Sequence, residues 1–355
     1  MRPAATARTV ASFRTLLLFT LFFLISFGYG YPVLNRYDPR KANASDAREY
    51  YRMTEVGPSH TTPYFRHRLL VPTLARPIYL LVDGRLRSWY AAGFGILIVN
   101  SVFTATSALL IMALGLRILG GPITALLASL LYLSNFCVVT HHLGSGCIDS
   151  SEACLILCVL FALQTRSYAF LPLLGALGAL AKETFIPLSA VLMFTWLALE
   201  KRAEDRAAWT GYIWASVAVA ASLAVVSMAE SILSQGLVFP WDIAMREKVG
   251  SISRHSLLLP LKEHSFIYNF IWLLPLGLPR IRDMGRAFRG ATAVAAVSAY
   301  ILCVWHAAPA SFGSPLPRVL FNIAGPLLTI SAAGYLGDLL RLKSGIPGPS
   351  PTNPL

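Results

Sequence analysis

The sequence predicts an all-α membrane protein that crosses the bilayer about ten times and carries helices at the membrane surface in a long first outer loop. Three observations support this fold class. Of the 355 residues, 55% are hydrophobic and only 13% are charged, and the mean hydropathy is +0.60. Apolar runs of roughly 18 to 22 residues recur, which matches the thickness of a bilayer core. These runs are continuous and rich in Leu and Ala, so helices and not alternating barrel strands pair the backbone in lipid.

The first apolar run, residues 14–32, has no clear small-residue cleavage site after it, so we interpret it as a retained helix and not as a signal peptide. The other predicted helices cover 90–115, 120–138, 150–164, 168–181, 184–199, 208–231, 265–279, 290–308 and 318–340. We treat residues 1–340 as one transmembrane domain. The Pro-, Gly- and Ser-rich residues 341–355 are predicted to form a disordered tail.

The net charge of +13 indicates topology and contact with anionic lipid, and it argues against nucleic-acid binding because the basic residues collect in short connections. If the N-terminus is cytoplasmic, every short cytoplasmic connection is positive, as the positive-inside rule expects. The connection "PRIRDMGRAFRG" alone carries four arginines. Both termini are therefore predicted on the cytoplasmic side, and two long outer loops, 33–88 and 232–264, on the other.

The first outer loop contains a predicted surface helix. Ser45 is a suitable N-cap, Asp46 falls in the first turn, and Gly57 with Pro58 ends the helix. A second interfacial segment, "PYFRHRLLVPTLARPIYLL", is expected to be broken by Pro72 and Pro77.

Several charged residues on the outer side are candidates for binding a substrate or a phosphate. Each also has a simpler explanation, because first-turn acids favour the helix dipole and arginines near a membrane reach lipid phosphates. Lys182 and Glu183 interrupt two apolar runs, so they either sit in a hairpin that reaches water or face a cavity or partner. The candidates are Arg66, Arg68, Asp149, Lys182, Glu183 and Arg318.

No metal site is predicted. His141 and His142 are adjacent, so on a helix their side chains point in different directions. The five cysteines lack metal-ligand spacing, and Cys154 and Cys158 lie one helical turn apart in an apolar run, where a thiol usually packs as a small hydrophobe.

The pattern resembles bacterial integral-membrane glycosyltransferases of the GT-C superfamily over roughly residues 14–340. The resemblance rests on a first outer loop with an acid followed by "EYY", then "RHRLLVPTLAR", the later Asp149, "GALAKET" between two spans, and "PRVLFNIAGPLL". It implies transfer of a sugar from a polyprenyl-phosphate carrier to a glycan or lipid acceptor at the outer face of the bacterial cytoplasmic membrane.

Within that resemblance, the family's catalytic acid corresponds best to Asp46, which would accept the proton of the acceptor hydroxyl. Arg66, Arg68, Lys182 and Arg318 would stabilise the leaving lipid phosphate, and Asp149 would orient the acceptor. The first loop lacks the adjacent acid pair found in many relatives, and Asp38 and Glu49 are rival acids. No cofactor is implied with certainty, and a requirement for a divalent cation stays open.

Two other classes of function stay open. A transporter or flippase for an anionic lipid or sugar would place charges or broken helices near the bilayer midplane, whereas here the polar groups collect at one face. A non-catalytic membrane scaffold is the other alternative.

Overall fold

The computed structural model describes residues 3–36, 45–86, 88–200, 206–245, 257–258, 261–305 and 315–344. Most of these residues are helical, and there is no β-strand among them. The α-helices are α1 (Pro3–Arg36), α2 (Ser45–Val56), α3 (Leu70–Val82), α4 (Ala91–Leu119), α5 (Pro122–Leu133), α6 (Asp149–Gln164), α7 (Leu171–Ala181), α8 (Phe185–Glu200), α9 (Arg206–Ser234), α10 (Pro240–Met245), α11 (His264–Phe270), α12 (Leu273–Gly277), α13 (Arg286–Trp305) and α14 (Leu316–Ser344).

Short pieces of other helix types complete the path. A π-helix covers Val138–Leu143, and 3₁₀ turns cover Pro58–His60, Tyr168–Phe170 and Leu278–Asp283. The predicted helix 120–138 is therefore α5 followed by the π-helix. The predicted helix 265–279 is divided into α11, α12 and a 3₁₀ turn, with Pro275 inside α12 and Pro279 at the start of the 3₁₀ turn.

Five helices are long and apolar enough to cross a membrane, which supports the prediction of a membrane protein at this coarser level. They cover Ser12–Asn35, Ala91–Leu119, Trp209–Ser234, Arg286–Val304 and Leu316–Arg341. In the most apolar part of the last span, 78% of the stretch is buried inside the protein, whereas in the most apolar part of the first span only 17% is buried. The last helix, α14, is thus the centre of the bundle, and α1 lies at its periphery.

The helices α4, α5 and α14 alternate in direction. Gly120, with φ of +71°, ends α4 in the left-handed region that glycine adopts without strain. The helix α5 then returns along α4 and packs against α14, with the rings of Tyr132 and Phe321 stacked at 5.7 Å near one end and Gly337 against Thr124 near the other.

The helices α7 and α8 form an antiparallel hairpin. At its tip, the ring of Phe185 occupies the space beside Gly178, while at its base Leu197 and Tyr168 both lie beside Gly211 of α9. Because Gly175 faces Ala218, α7 runs parallel to α9. The tip of this hairpin carries Lys182 and Glu183.

The charged residues divide between two ends of the bundle. The arginine end carries Arg166, which bonds Glu200 at 3.2 Å, and Arg280, which bonds Asp338 at 3.1 Å. Arg117 and Arg341 lie at the same end. The other end, here called the network end, carries α2, α3, the α7–α8 tip and the first turns of α6 and α14.

Two local predictions about loops and tail are wrong. Pro72 and Pro77 do not break the second segment, because Pro72 lies in the first turn of α3, where its missing N–H is not needed, and α3 continues through Pro77. Residues 341–344, predicted as tail, continue α14, and the remainder of that tail lies outside the described residues. In the predicted second outer loop, 232–264, residues 246–256 and 259–260 lie outside the described residues.

Candidate functional site

Asp149 is the centre of a buried ionic network at the network end. It begins α6 directly after the loop that contains Gly146, whose φ of +67° allows the chain to turn into the helix. One carboxylate oxygen accepts a hydrogen bond from Nζ of Lys182 at 2.6 Å, and the other lies 3.4 Å from Nη1 of Arg318. Asp149 is only 2% exposed, so these two cations of the protein balance its charge.

Lys182 reaches Asp149 because α7 stops at it. The residue has extended backbone angles, φ −166° and ψ 142°, and caps the helix through its N–H to the carbonyl of Gly178. The Lys182 side chain therefore leaves the hairpin tip toward α6, where Nζ also lies 3.5 Å from Oε2 of Glu152. The charge faces protein partners and not water, which decides between the two interpretations of "AKET".

Glu152 forms the inner end of the network. It lies one turn after Asp149 on α6, is fully buried, and accepts hydrogen bonds from the hydroxyl of Thr184 and from Nδ2 of Asn322, the latter at 3.1 Å. The oxygen of Asn322 then faces Nε2 of His142 at 2.9 Å. Glu152 thereby connects α6, the hairpin tip, α14 and the π-helix.

The segment between α2 and α3, residues 57–69 and here called the strap, carries the three basic residues in a row. Arg66 donates to Glu230 of α9 from Nε at 3.0 Å and from Nη2 at 2.9 Å. Arg68 donates to both oxygens of Glu183, with the Nε bond at 2.7 Å, and from Nη1 to the hydroxyl of Tyr50 at 2.7 Å. The two strap arginines therefore have carboxylate partners within the protein.

The ionisation of the groups at the hairpin tip follows from these pairs. Burial alone would raise the pKa of Glu183, but the guanidinium of Arg68, together with His67, holds it well below its usual range. Burial would likewise lower the pKa of Lys182, but Asp149 and then Glu152 raise it above the usual lysine value. Both residues are charged at neutral pH.

Asp46 lies in the first turn of α2 and is half-buried. Its charge acts electrostatically on Tyr50 and on Arg318, so Asp46 lies near both. The rival Glu49 accepts a hydrogen bond from the backbone N–H of Thr62 at 3.1 Å, so it ties α2 to the strap. Asp38 lies outside the described residues.

Arg318 differs from the other three cations. It lies in the first turn of α14, its side chain is 24% exposed, and its Nε is a buried donor without a hydrogen-bond partner in the part of the chain that the structure describes. An unpaired guanidinium N–H is costly when buried, and an anionic oxygen is the acceptor that best satisfies it.

The expectations about His141, His142 and the cysteines can be compared with their environment. His142 is buried and bonds Asn322, and the five cysteines are free thiols. Among the described residues, no group of three or more His, Cys, Asp or Glu side chains is arranged to hold a metal ion.

Most candidates predicted from the sequence thus meet at the network end of the bundle, and Arg66 lies at the edge of this group. The residues that meet are Asp46, Arg68, Asp149, Lys182, Glu183 and Arg318. Sequence reasoning missed Glu152, Glu230, Tyr50 and Asn322 as members. Glu230 had a usable signal, since it is an acid inside the apolar run 208–231, and such residues usually face the interior of a bundle. Glu152 has only a local signal, as an acid in the first turn of α6, and nothing local identifies Asn322.

The described residues form an all-helical protein with five helices that fit a membrane span and with a buried, charge-alternating cluster at one end. No protein-family model matches the chain, and no curated protein matches it.

Proposed function

We propose that this protein is a membrane glycosyltransferase of the GT-C type, which moves a sugar from a polyprenyl-phosphate carrier to a glycan or lipid acceptor. The observation that carries the proposal is the meeting of Asp46, Asp149, Lys182 and Arg318, which come from four separate segments, at one end of the bundle. An acid beside a partly exposed arginine is what transfer from a lipid phosphate requires.

In the proposed reaction, the acceptor oxygen attacks the anomeric carbon of the donor sugar while the carboxylate of Asp46 takes the proton from that oxygen. The bond between the anomeric carbon and the phosphate oxygen breaks, and its electron pair stays on the phosphate. Arg318 stabilises that charge through its unpaired Nε–H. Asp149, which Lys182 also bonds, holds Arg318 in place, whereas Arg66, Arg68 and Glu183 attach the strap beside the site.

Asp46 fits the role of base better than Asp149 does. Two cations engage Asp149, and it is almost fully buried, so it is a poor proton acceptor for a substrate that arrives from outside. Asp46 is half-buried, and its charge acts on Arg318, which is partly exposed.

We further propose that the chain crosses the bacterial cytoplasmic membrane about ten times with both termini in the cytoplasm. The alternation of helix directions and the concentration of arginines at one end support this arrangement. The α2, strap and α3 segment would then lie at the outer surface. Labelling of single cysteines placed at Ser59 and Gly285, in a background without native cysteines, checks it: a membrane-impermeant reagent should label only the first in intact cells.

The test of the function is transfer of radiolabelled sugar from polyprenyl-phosphate donors in membranes that contain the protein. Wild type should incorporate label, and Asp46→Asn should lose it while folding normally. Asp283→Asn, an exposed acid at the arginine end, is the matched control and should keep full incorporation. Equal incorporation by Asp46→Asn would remove Asp46 from catalysis, and no incorporation by wild type with any donor would argue against the transferase.

One observation favours a second candidate, a transporter of an anionic lipid or sugar. Each of the four network cations has a carboxylate partner in the protein, and such compensated buried pairs occur along the coupling paths of transporters. Flux of labelled polyprenyl phosphate across vesicles with reconstituted protein, without sugar transfer, would establish it.

A further inference from the structure

The strap is attached to the bundle at three consecutive residues, Arg66, His67 and Arg68. The carboxylates that receive them belong to different elements, because Glu183 lies at the α7–α8 tip and Glu230 lies on α9. The Glu230 side chain is fully buried, and His67 is only 3% exposed. The strap therefore bridges two elements of the bundle through a dry contact that centres on one imidazole.

The two ring nitrogens of His67 have different partners. Its Nε2 lies 3.0 Å from Oε2 of Glu183, and since an ionised carboxylate can only accept, Nε2 carries the hydrogen. Its Nδ1 lies 3.7 Å from Oε1 of Glu230 and is buried without a hydrogen-bond partner. Arg66 donates to the Glu230 carboxylate, and Arg68 donates to the Glu183 carboxylate.

In the neutral imidazole, the lone pair of Nδ1 therefore faces an anionic oxygen, which is repulsive. A proton on Nδ1 converts the same contact into an N–H donor aimed at a carboxylate. Both ring nitrogens of His67 therefore face a carboxylate as N–H donors only when the imidazole is doubly protonated.

We propose that His67 is a proton-operated clasp, which takes up a proton on Nδ1, bonds Glu183 and Glu230 together, and closes the strap against the bundle. The charged and titratable groups around it are Glu183 and the neighbouring Lys182 from the hairpin tip, Glu230 from α9, Arg66, Arg68 and Tyr64 from the strap, and Tyr50 from α2.

The clasp adjoins the candidate site, because Glu183 follows Lys182 directly in the chain and Lys182 bonds Asp149. Loss of the His67 proton weakens the contact of the strap with Glu183, the residue that follows Lys182, while the Arg68 pair remains. The consequence, regulation of substrate access by pH, rests on the proposed function. The clasp itself does not depend on that function.

The experiment is hydrogen–deuterium exchange of the full chain in detergent or nanodiscs at about pH 5.5 and about pH 8. The peptide that covers residues 58–69 is compared with a peptide from the arginine end, after each rate is divided by the intrinsic chemical rate at that pH. Wild type should protect the strap about tenfold more at the lower pH, as expected for one added charge-assisted hydrogen bond. The reference peptide should show no such difference.

His67→Gln keeps a donor for Glu183 but cannot take up a proton, so its strap should lose the pH dependence. His60→Gln, an exposed histidine on the same strap, is the matched control and should retain it. A wild-type strap with no pH-dependent protection, or a pH dependence that persists in His67→Gln, would overturn the proposal. The wild-type comparison stays decisive if His67→Gln does not fold. Since no substrate is present, a negative result here is distinct from a failure of the transfer assay.

Discussion

Replacing Lys182 by Met should be among the most damaging single changes in the protein, because it removes the cation shared by two buried carboxylates. In wild type, Nζ lies 2.6 Å from Asp149 and 3.5 Å from Glu152, and both acids are almost fully buried. Without the ammonium, two negative charges remain one helical turn apart on α6, and Arg318, at 3.4 Å from Asp149, is the cation that still balances one of them.

The magnitude follows from the cost of leaving a buried charge without its partner, which is about 3–5 kcal/mol in folding free energy. The methionine retains the length and apolar stem of lysine, so packing around the stem should change little. The loss is therefore predicted to be electrostatic.

The double variant Lys182→Met/Glu152→Gln tests that assignment. It removes one charge of each sign, and the glutamine keeps an oxygen for the Thr184 hydroxyl. The double variant should recover a large part of the lost stability, which gives a coupling free energy of about 1–3 kcal/mol between the two positions.

Unfolding by SDS in mixed micelles, followed by circular dichroism, measures these differences. Lys262 is an exposed lysine in the predicted second outer loop, so Lys262→Met should change the free energy of unfolding by less than about 0.5 kcal/mol. The reasoning fails if Lys182→Met is as stable as that control, or if the double variant is less stable than the single one.

Two further predictions concern pH and helix packing. Arg68 and His67 hold the pKa of Glu183 below that of a free glutamate, about 4.3. The pairing of Glu183 therefore stabilises the fold fully above that value, and this stabilisation is lost as pH falls through the lower, folded-state pKa. The free energy of unfolding should fall more steeply with decreasing pH for wild type than for Glu183→Gln, and equal slopes would contradict this. A Cβ at Gly95 would lie 2.9 Å from the backbone oxygen of Ala75, so Gly95→Ala should push α3 away from α4. The substitution should lower the free energy of unfolding by about 1–3 kcal/mol, measured by the same unfolding assay. An unchanged stability would show that α3 moves freely.

Features set by neighbouring residues were predictable. The helix predicted from Ser45 is present as α2 and ends before Gly57, because capping and turn preferences act within a few residues. The failure at Pro77 has the opposite origin. A proline weakens a helix locally, but α3 packs on α4, where Gly95 lets the two backbones approach closely. Tertiary contact therefore outweighed the local preference.

The residues of the candidate site also differ in whether local sequence or tertiary contact identifies them. Asp149, Lys182 and Arg318 stood out in the sequence because charge is rare in so apolar a chain and is costly beside lipid. Asn322 and Tyr50 did not stand out, because neither carries a charge at neutral pH. Their roles come from the groups that they face, Glu152 and Arg68.

By itself, the sequence determined that the chain is helical, membrane-embedded and polar at the ends of its helices, since hydropathy and helical period are properties of short stretches. Only the tertiary structure decided which charge meets which. Arg66 and Glu230 are 164 residues apart, and Arg318 and Asp149 are 169 apart. A basic residue in sequence fits a lipid phosphate or a carboxylate equally well. The choice is made by the packing of α6, α9, α14 and the hairpin tip, which brings buried carboxylates within hydrogen-bond distance of the cations.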